Sequence, residues 1–135
     1  MKWKAIAIGT VALFVLWSVL DFVIHGVLLR DLYASGPALF RPMEEMRMSL
    51  LYLTVLIGAG AYTLLYGLNA PRPALRDSIV FGLVFGVATG FGMGFGTYSI
   101  IPIELGMAWG WFLGTLAEST LAAVVLHWVF QRGRG

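Results

Sequence analysis

Asp21, His25 and Glu118 are the residues whose chemistry stands out against their surroundings. Each lies inside an apolar run, where an ionisable side chain raises the free energy of insertion into a bilayer by roughly 2.5 to 3.5 kcal/mol. Such groups are expected to face neighbouring protein or a wet cavity, not hydrocarbon. Asp21 and His25 are one helical turn apart. Wound at about 100° per residue from Asp21, His25 lies at about +40°, Ser18 at about +60°, Trp17 at about −40° and Thr10 at about −20°. The opposite side carries Ala5, Ile8, Ala12, Val15, Val19, Val23 and Val27 and is expected to face lipid.

Depth decides which of these groups can meet. If the first apolar run travels outward and the last inward, Asp21 lies about 8 Å outside the bilayer midplane, His25 about 14 Å outside and Glu118 about 3 Å inside. Asp21 and Glu118 are then close enough in depth to share one polar pocket, while His25 and His127 lie near opposite surfaces, which argues against a bis-histidine haem. His127 falls about 180° from Glu118 and near the inner end, so it is expected to be an interfacial residue and not a partner of the site.

Three chemistries suit Asp21, His25 and Glu118. As structural glue, Asp21 pairs with His25 or Arg30, and a protonated Glu118 sits against Thr115, Ser119 or a tyrosine. As a proton or cation path, the acids and His25 form a relay that opens outward. As a metal site, His25 and Asp21, aided by Met43, Met46 or Met107, hold copper(I) or another transition ion, although methionine is softer than carboxylate and one histidine is a thin ligand set. Enzymatic chemistry is the weakest class: there is no cysteine, no HExxH pair, no nucleophile elbow and no serine with a clear base. No cofactor is expected.

A second polar stripe lies on the second apolar run. From Tyr52, Thr63 and Glu45 both fall at about +20°, Ser49 at about +60° and Tyr66 at about −40°. That face is expected either to donate hydrogen bonds to the Asp21 carboxylate or to anchor tyrosines at the two interfaces.

The elements that position these groups follow from composition. A chain that is 59% hydrophobic and 12% charged, with a mean hydropathy of +0.85, is not an ordinary soluble domain. The absence of cysteine removes disulfides, thiolate metal sites and thiol catalysis together. A net charge of +2, dispersed around apolar runs, gives no footprint for nucleic acid. Four runs are long enough to cross a bilayer, at 3–29, 48–68, 78–99 and 103–129, in a single membrane domain of 135 residues. The N-terminal Met1-Lys2-Trp3-Lys4 followed by a long apolar stretch is read as a retained first span and not a signal peptide.

The connections differ in length and charge. The outer loop, 30–47, has balanced charge, is broken at Ser35-Gly36-Pro37 and Arg41-Pro42, and carries an apolar side of Leu32, Tyr33, Leu39 and Phe40. Pro42 with Glu44 and Glu45 is expected to start a helix. The inner loop, 69–77, is basic and proline-rich, with Asp77-Ser78 expected to cap the third helix. Lys2, Lys4, Arg72, Arg76, Arg132 and Arg134 fall on one side, so both termini are expected to be cytoplasmic.

Glycine recurs every fourth residue in the last two runs, as Gly82, Gly86, Gly90 and Gly94 and as Gly106, Gly110 and Gly114. Such rows let helix backbones approach closely, which drives association where lipid removes the hydrophobic term. The first expectation is contact between helices 3 and 4; the others are a homo-oligomer face and a bent segment at Gly90 to Gly96. The glycine-rich run is not a nucleotide loop, because no strand precedes it. The expected architecture is an all-α four-transmembrane-helix bundle in the cytoplasmic (inner) membrane with a glycine-packed helix 3/4 hairpin. It is expected to act without catalysis, as a homo-oligomer or an accessory subunit of a membrane complex. The main alternative is a small proton- or cation-coupled transporter or channel. The expected partners are lipid and membrane subunits, not nucleic acid or nucleotide.

Overall fold

The computed structural model describes residues 2–36, 38–69 and 73–132. Met1, Pro37, Arg72 and Arg134, used above for the N-terminus, loop breaks and charge placement, lie outside them. Most of the described residues are helical, with no strand among them. Four helices are long and apolar enough to cross a bilayer: Trp3–Leu28, Met48–Asn69, Leu75–Ile100 and Leu105–Arg132. The shortest has 22 residues, roughly 33 Å at 1.5 Å per residue, against a hydrocarbon core of about 30 Å.

Helix α1 (Trp3–Val23) continues through a wide π-turn at Ile24–Leu28 into the short α2 (Arg30–Ser35). The turn is defined by the Leu29 N–H bonding the Ile24 carbonyl at 2.8 Å, five residues back. Helix α3 (Met48–Asn69) returns across the bundle. Helix α4 (Leu75–Phe91) passes through a second π-turn, Gly92–Gly96, into α5 (Thr97–Ile100), and α6 (Leu105–Arg132) closes the chain. Helix α6 packs most extensively on α4 and also on α1, and α1 packs on α3, so two antiparallel hairpins meet along the α1/α6 seam.

Several local expectations are corrected. The third helix begins at Leu75, three residues early, because Asp77 acts from inside the first turn: its carboxylate accepts the Ala74 N–H at 3.3 Å. Pro42, Glu44 and Glu45 make only a single 3-10 turn, Met43–Glu45, before extended backbone at Met46 ends it. The last helix starts at Leu105, after the kink at Pro102, and runs on to Arg132. Ala5 does not face lipid. It is buried, at 3% exposure, with Leu13, Ala122, Leu126 and Phe130, because a small side chain lets the α1/α6 seam close. Ile8, Val15, Val19 and Val27 on the same helix are exposed.

The two glycine rows do not face each other. A Cβ placed on Gly82 would stand 2.7 Å from the Ser119 carbonyl oxygen, and one on Gly86 2.9 Å from the Leu116 Cα. At Gly90 it would lie 2.9 Å from the Thr115 Cβ, and at Gly94 it would collide with the Ala108 carbonyl. The α4 row therefore lies directly against α6 backbone. The α6 row points elsewhere: Gly106 faces Leu32, Gly110 faces Leu29 and Gly114 faces Ile24, all on the first hairpin. Glycine on both sides of α6 thus admits α4 on one flank and the end of the first span on the other.

Candidate functional site: an acidic cleft between the first and last spans

The α1/α6 seam opens into a cleft of about 300 Å³ where Asp21 and His25 from the first span meet Glu118 from the last. Trp17, Phe85, Met93 and Trp111 form its apolar walls, and Gly110 and Gly114 leave the α6 side without bulk. Asp21 and Glu118 both line the cleft, one from each side of the seam. The Trp17 indole N–H donates to the Glu118 main-chain carbonyl at 3.1 Å, which holds α1 and α6 in register beside the acids.

His25 is held from both sides. Its Nε2 lies 3.8 Å from Asp21 Oδ1, and its Nδ1 lies 2.8 Å from the Tyr33 hydroxyl. The Trp111 indole, which can only donate, gives its N–H to that same hydroxyl at 2.8 Å. The Tyr33 proton is then left for His25 Nδ1, which puts the ring proton on Nε2, facing Asp21. Tyr33 sits in α2, just beyond the span. Burial pushes its hydroxyl above the usual phenol value; the Trp111 hydrogen bond works against this, and the Asp21 charge adds to it. Tyr33 therefore stays a protonated donor across the neutral range. The Phe40 ring at 4.8 Å from Tyr33 and Leu32 against Gly106 seat the outer loop on top of this network.

Three buried side-chain oxygens, Ser18 Oγ, Thr63 Oγ1 and Glu118 Oε1, lack a hydrogen-bond partner among the described residues, and of these Glu118 lines the cleft. A buried polar atom without a partner is costly, and in native structures it usually marks an unseen water, an ion or a functional demand. The other side of the same acid pair is accessible, with the Asp21 and His25 side chains 36% and 41% exposed.

Of the supporting residues, few reach the cleft. Thr115 lines it, its hydroxyl 3.9 Å from Met93 sulfur, whereas Ser18 Oγ is buried without a partner. The α3 stripe does not donate to Asp21. Ser49 and Tyr52 are exposed, Thr63 is buried against Gly9, and Tyr66 bonds Ser78 at 2.6 Å. The cause is where α3 crosses: Gly60 and Gly58 approach α1 at Thr10 and Trp17, short of Asp21. Met43 and Met46 are exposed, while Met107 is packed with Leu29, Ile103 and Ala108. No group of three or more His, Asp or Glu that could hold a metal occurs among the described residues.

A second polar string lies beyond the cleft. Ser119, next to Glu118 and also lining the cleft, donates from Oγ to the Gly82 carbonyl at 2.8 Å, and its own carbonyl accepts the Tyr62 hydroxyl at 2.7 Å. One turn on, Tyr66 meets Ser78, whose Oγ lies 3.5 Å from His127 Nδ1. His127, expected not to partner the site, is buried at 7% exposure between α6 and α4. Tyr62 was not singled out by the helical wheel because it falls about 80° from Tyr52, at the edge of the stripe. No protein-family model, curated protein or solved structure matches the chain.

Proposed function

We propose that this chain is a small multi-pass membrane protein that takes up a proton or small cation at the Asp21–Glu118 cleft and works as an ion-coupled carrier or channel. The partnerless Glu118 oxygen beside the Asp21 carboxylate carries this reading. Two acids at bilayer depth, one of them with an unmet hydrogen-bonding demand, form a natural seat for a proton or cation. His25, oriented by Tyr33 toward Asp21, supplies a base on the entry side.

The string of Ser119, Tyr62, Tyr66, Ser78 and His127 extends the polar groups toward the other end of the bundle and supports a route across it. With both termini in the cytoplasm of a cell bounded by this membrane, as the flanking Lys and Arg imply, the cleft opens outward and His127 lies on the inner side. The α4 glycine row packs α4 closely on α6 and so fixes Ser78, Ser119 and His127, the members of this route that those two helices carry. No covalent catalysis and no bound cofactor belong to this function.

The decisive measurement is flux into liposomes carrying a pH-sensitive dye. Wild type is expected to conduct, and Asp21→Asn and Glu118→Gln are expected to fall to the level of empty vesicles while keeping wild-type helicity. Equal flux in wild type and both variants overturns the proposal.

A second reading rests on the exposure of Asp21 and His25. Acids half open to the membrane can be covered by another protein, so a homo-oligomer or a non-catalytic accessory subunit would close the cleft from outside. In that case wild type gives no flux at good protein density, and Asp21→Asn changes the size of the assembly in mild detergent.

A further inference from the structure

At the opposite end of the α1/α6 seam a second groove, of about 650 Å³, separates the start of α1 from the end of α6. Its walls are Ala5, Ile8, Val125 and Val129, all hydrocarbon, and Trp128 stands at its rim. Lys4 and Arg132 line its end nearest the chain termini. We propose that this groove binds one anionic phospholipid, with an acyl chain along the apolar walls and the headgroup phosphate between Lys4 and Arg132.

Charge complementarity is what selects this occupant. Lys4 and Arg132 are both exposed, and neither has an ion-pair partner among the described residues. The acid that chain order places at this end, Asp77, is engaged with the Ala74 N–H. Two cations thus line one groove with no ion-pair partner among the described residues, at the level where the four spans end and headgroups begin. Apolar walls just below them fit an amphiphile and not a free anion. Basic pockets between membrane helices on the side carrying excess Lys and Arg are where anionic headgroups dock, and an interfacial tryptophan anchors at the same depth. This site shares no residue with the acidic cleft, so the two proposals stand or fall separately.

The test uses the whole protein in phosphatidylcholine vesicles that contain either acyl-brominated phosphatidylglycerol or acyl-brominated phosphatidylcholine as quencher. The component of tryptophan fluorescence lost in Trp128→Phe reports the groove. We expect that component to be half quenched at a lower mole fraction of the glycerol lipid than of the choline lipid. Lys4→Gln and Arg132→Gln should each reduce this preference about fivefold, the equivalent of one surface cation near anionic lipid. Both side chains are exposed, so neither substitution threatens the fold. Soluble glycerophosphoglycerol should leave the quenching unchanged; if it displaces the lipid, the headgroup binds alone and the amphiphile site is wrong. Equal quenching by both lipids, or a preference that survives the double substitution, also overturns the proposal.

Discussion

The Trp17 indole N–H reaches across the α1/α6 seam to the Glu118 carbonyl, 101 residues along the chain, at 3.1 Å. This bond ties the backbone of the residue with the orphaned carboxyl oxygen to the turn just before Asp21. The same indole packs edge-on to Tyr62, with ring centroids 5.4 Å apart, so Trp17 touches both the cleft and the string beyond it.

Trp17→Phe keeps most of the ring packing and removes the donor. The Glu118 carbonyl keeps its place in the helix, so the loss is that of one net hydrogen bond, about 1 kcal/mol. Equilibrium unfolding in mixed micelles should register that decrease, and flux should fall with it as the two acids lose their fixed spacing. Unchanged stability would mean that the seam does not depend on this bond.

Tyr33→Phe tests the outer network. It leaves the Trp111 indole without an acceptor and His25 Nδ1 without a donor, so a loss of about 1 to 3 kcal/mol is expected. The pH dependence has a definite sign. Folded Tyr33 holds its proton more tightly than the unfolded chain, whose phenol has the ordinary value of 10.0. The stability this provides is intact below that pH and is lost as pH rises through the folded value. Wild type should therefore lose stability on the alkaline side of pH 10, and Tyr33→Phe should flatten part of that decline. Identical alkaline profiles would show that Tyr33 is not buried as described.

Glycines of one run should differ sharply in tolerance. Gly94→Ala drives a methyl into the Ala108 carbonyl and Gly82→Ala into α6 backbone, neither of which can yield by rotating a side chain. Each is expected to destabilise by about 1 to 3 kcal/mol. Gly92 and Gly96 have open space where a methyl would go, so alanine there should be neutral or stabilise by up to about 1 kcal/mol through helix propensity. Thermal unfolding of the four variants checks this. Uniform tolerance would remove the close α4/α6 contact.

The four spans were legible because each depends on one helix at a time, through its length and hydropathy, and the similar depth of Asp21 and Glu118 followed from helix rise. What needed a second helix was hidden. His127 lies opposite Glu118 on the α6 wheel, which reads as facing away until α4 brings Ser78 to that side. Gly106, Gly110 and Gly114 announce a close approach by their spacing, but spacing does not name the partner, and it is Leu32, Leu29 and Ile24 of the first hairpin. Ala5 reads as lipid-facing on its own helix, yet its small size is what admits α6. The α3 stripe pointed to Asp21 only on the assumption that α3 crosses α1 higher than it does.

Tyr62 separates a route from mere packing. Its ring fills the core with contacts to Trp17, Phe81 and Phe85, while its hydroxyl bonds the Ser119 carbonyl at 2.7 Å. Tyr62→Phe retains the ring and deletes the hydroxyl, at a stability loss of about 1 kcal/mol. Tyr52→Phe is the control, since Tyr52 is 48% exposed and its one ring contact among the described residues is with Phe14 at 6.3 Å. If protons pass from the cleft through this string, Tyr62→Phe should depress flux strongly at constant protein density and Tyr52→Phe should leave it intact. Because proton transfer is broken and Tyr62 is not itself a wall of the cleft, flux of a small metal cation, if the cleft carries one, should survive in Tyr62→Phe. Equal proton flux in both variants would confine the function to the cleft and remove the inner string from it.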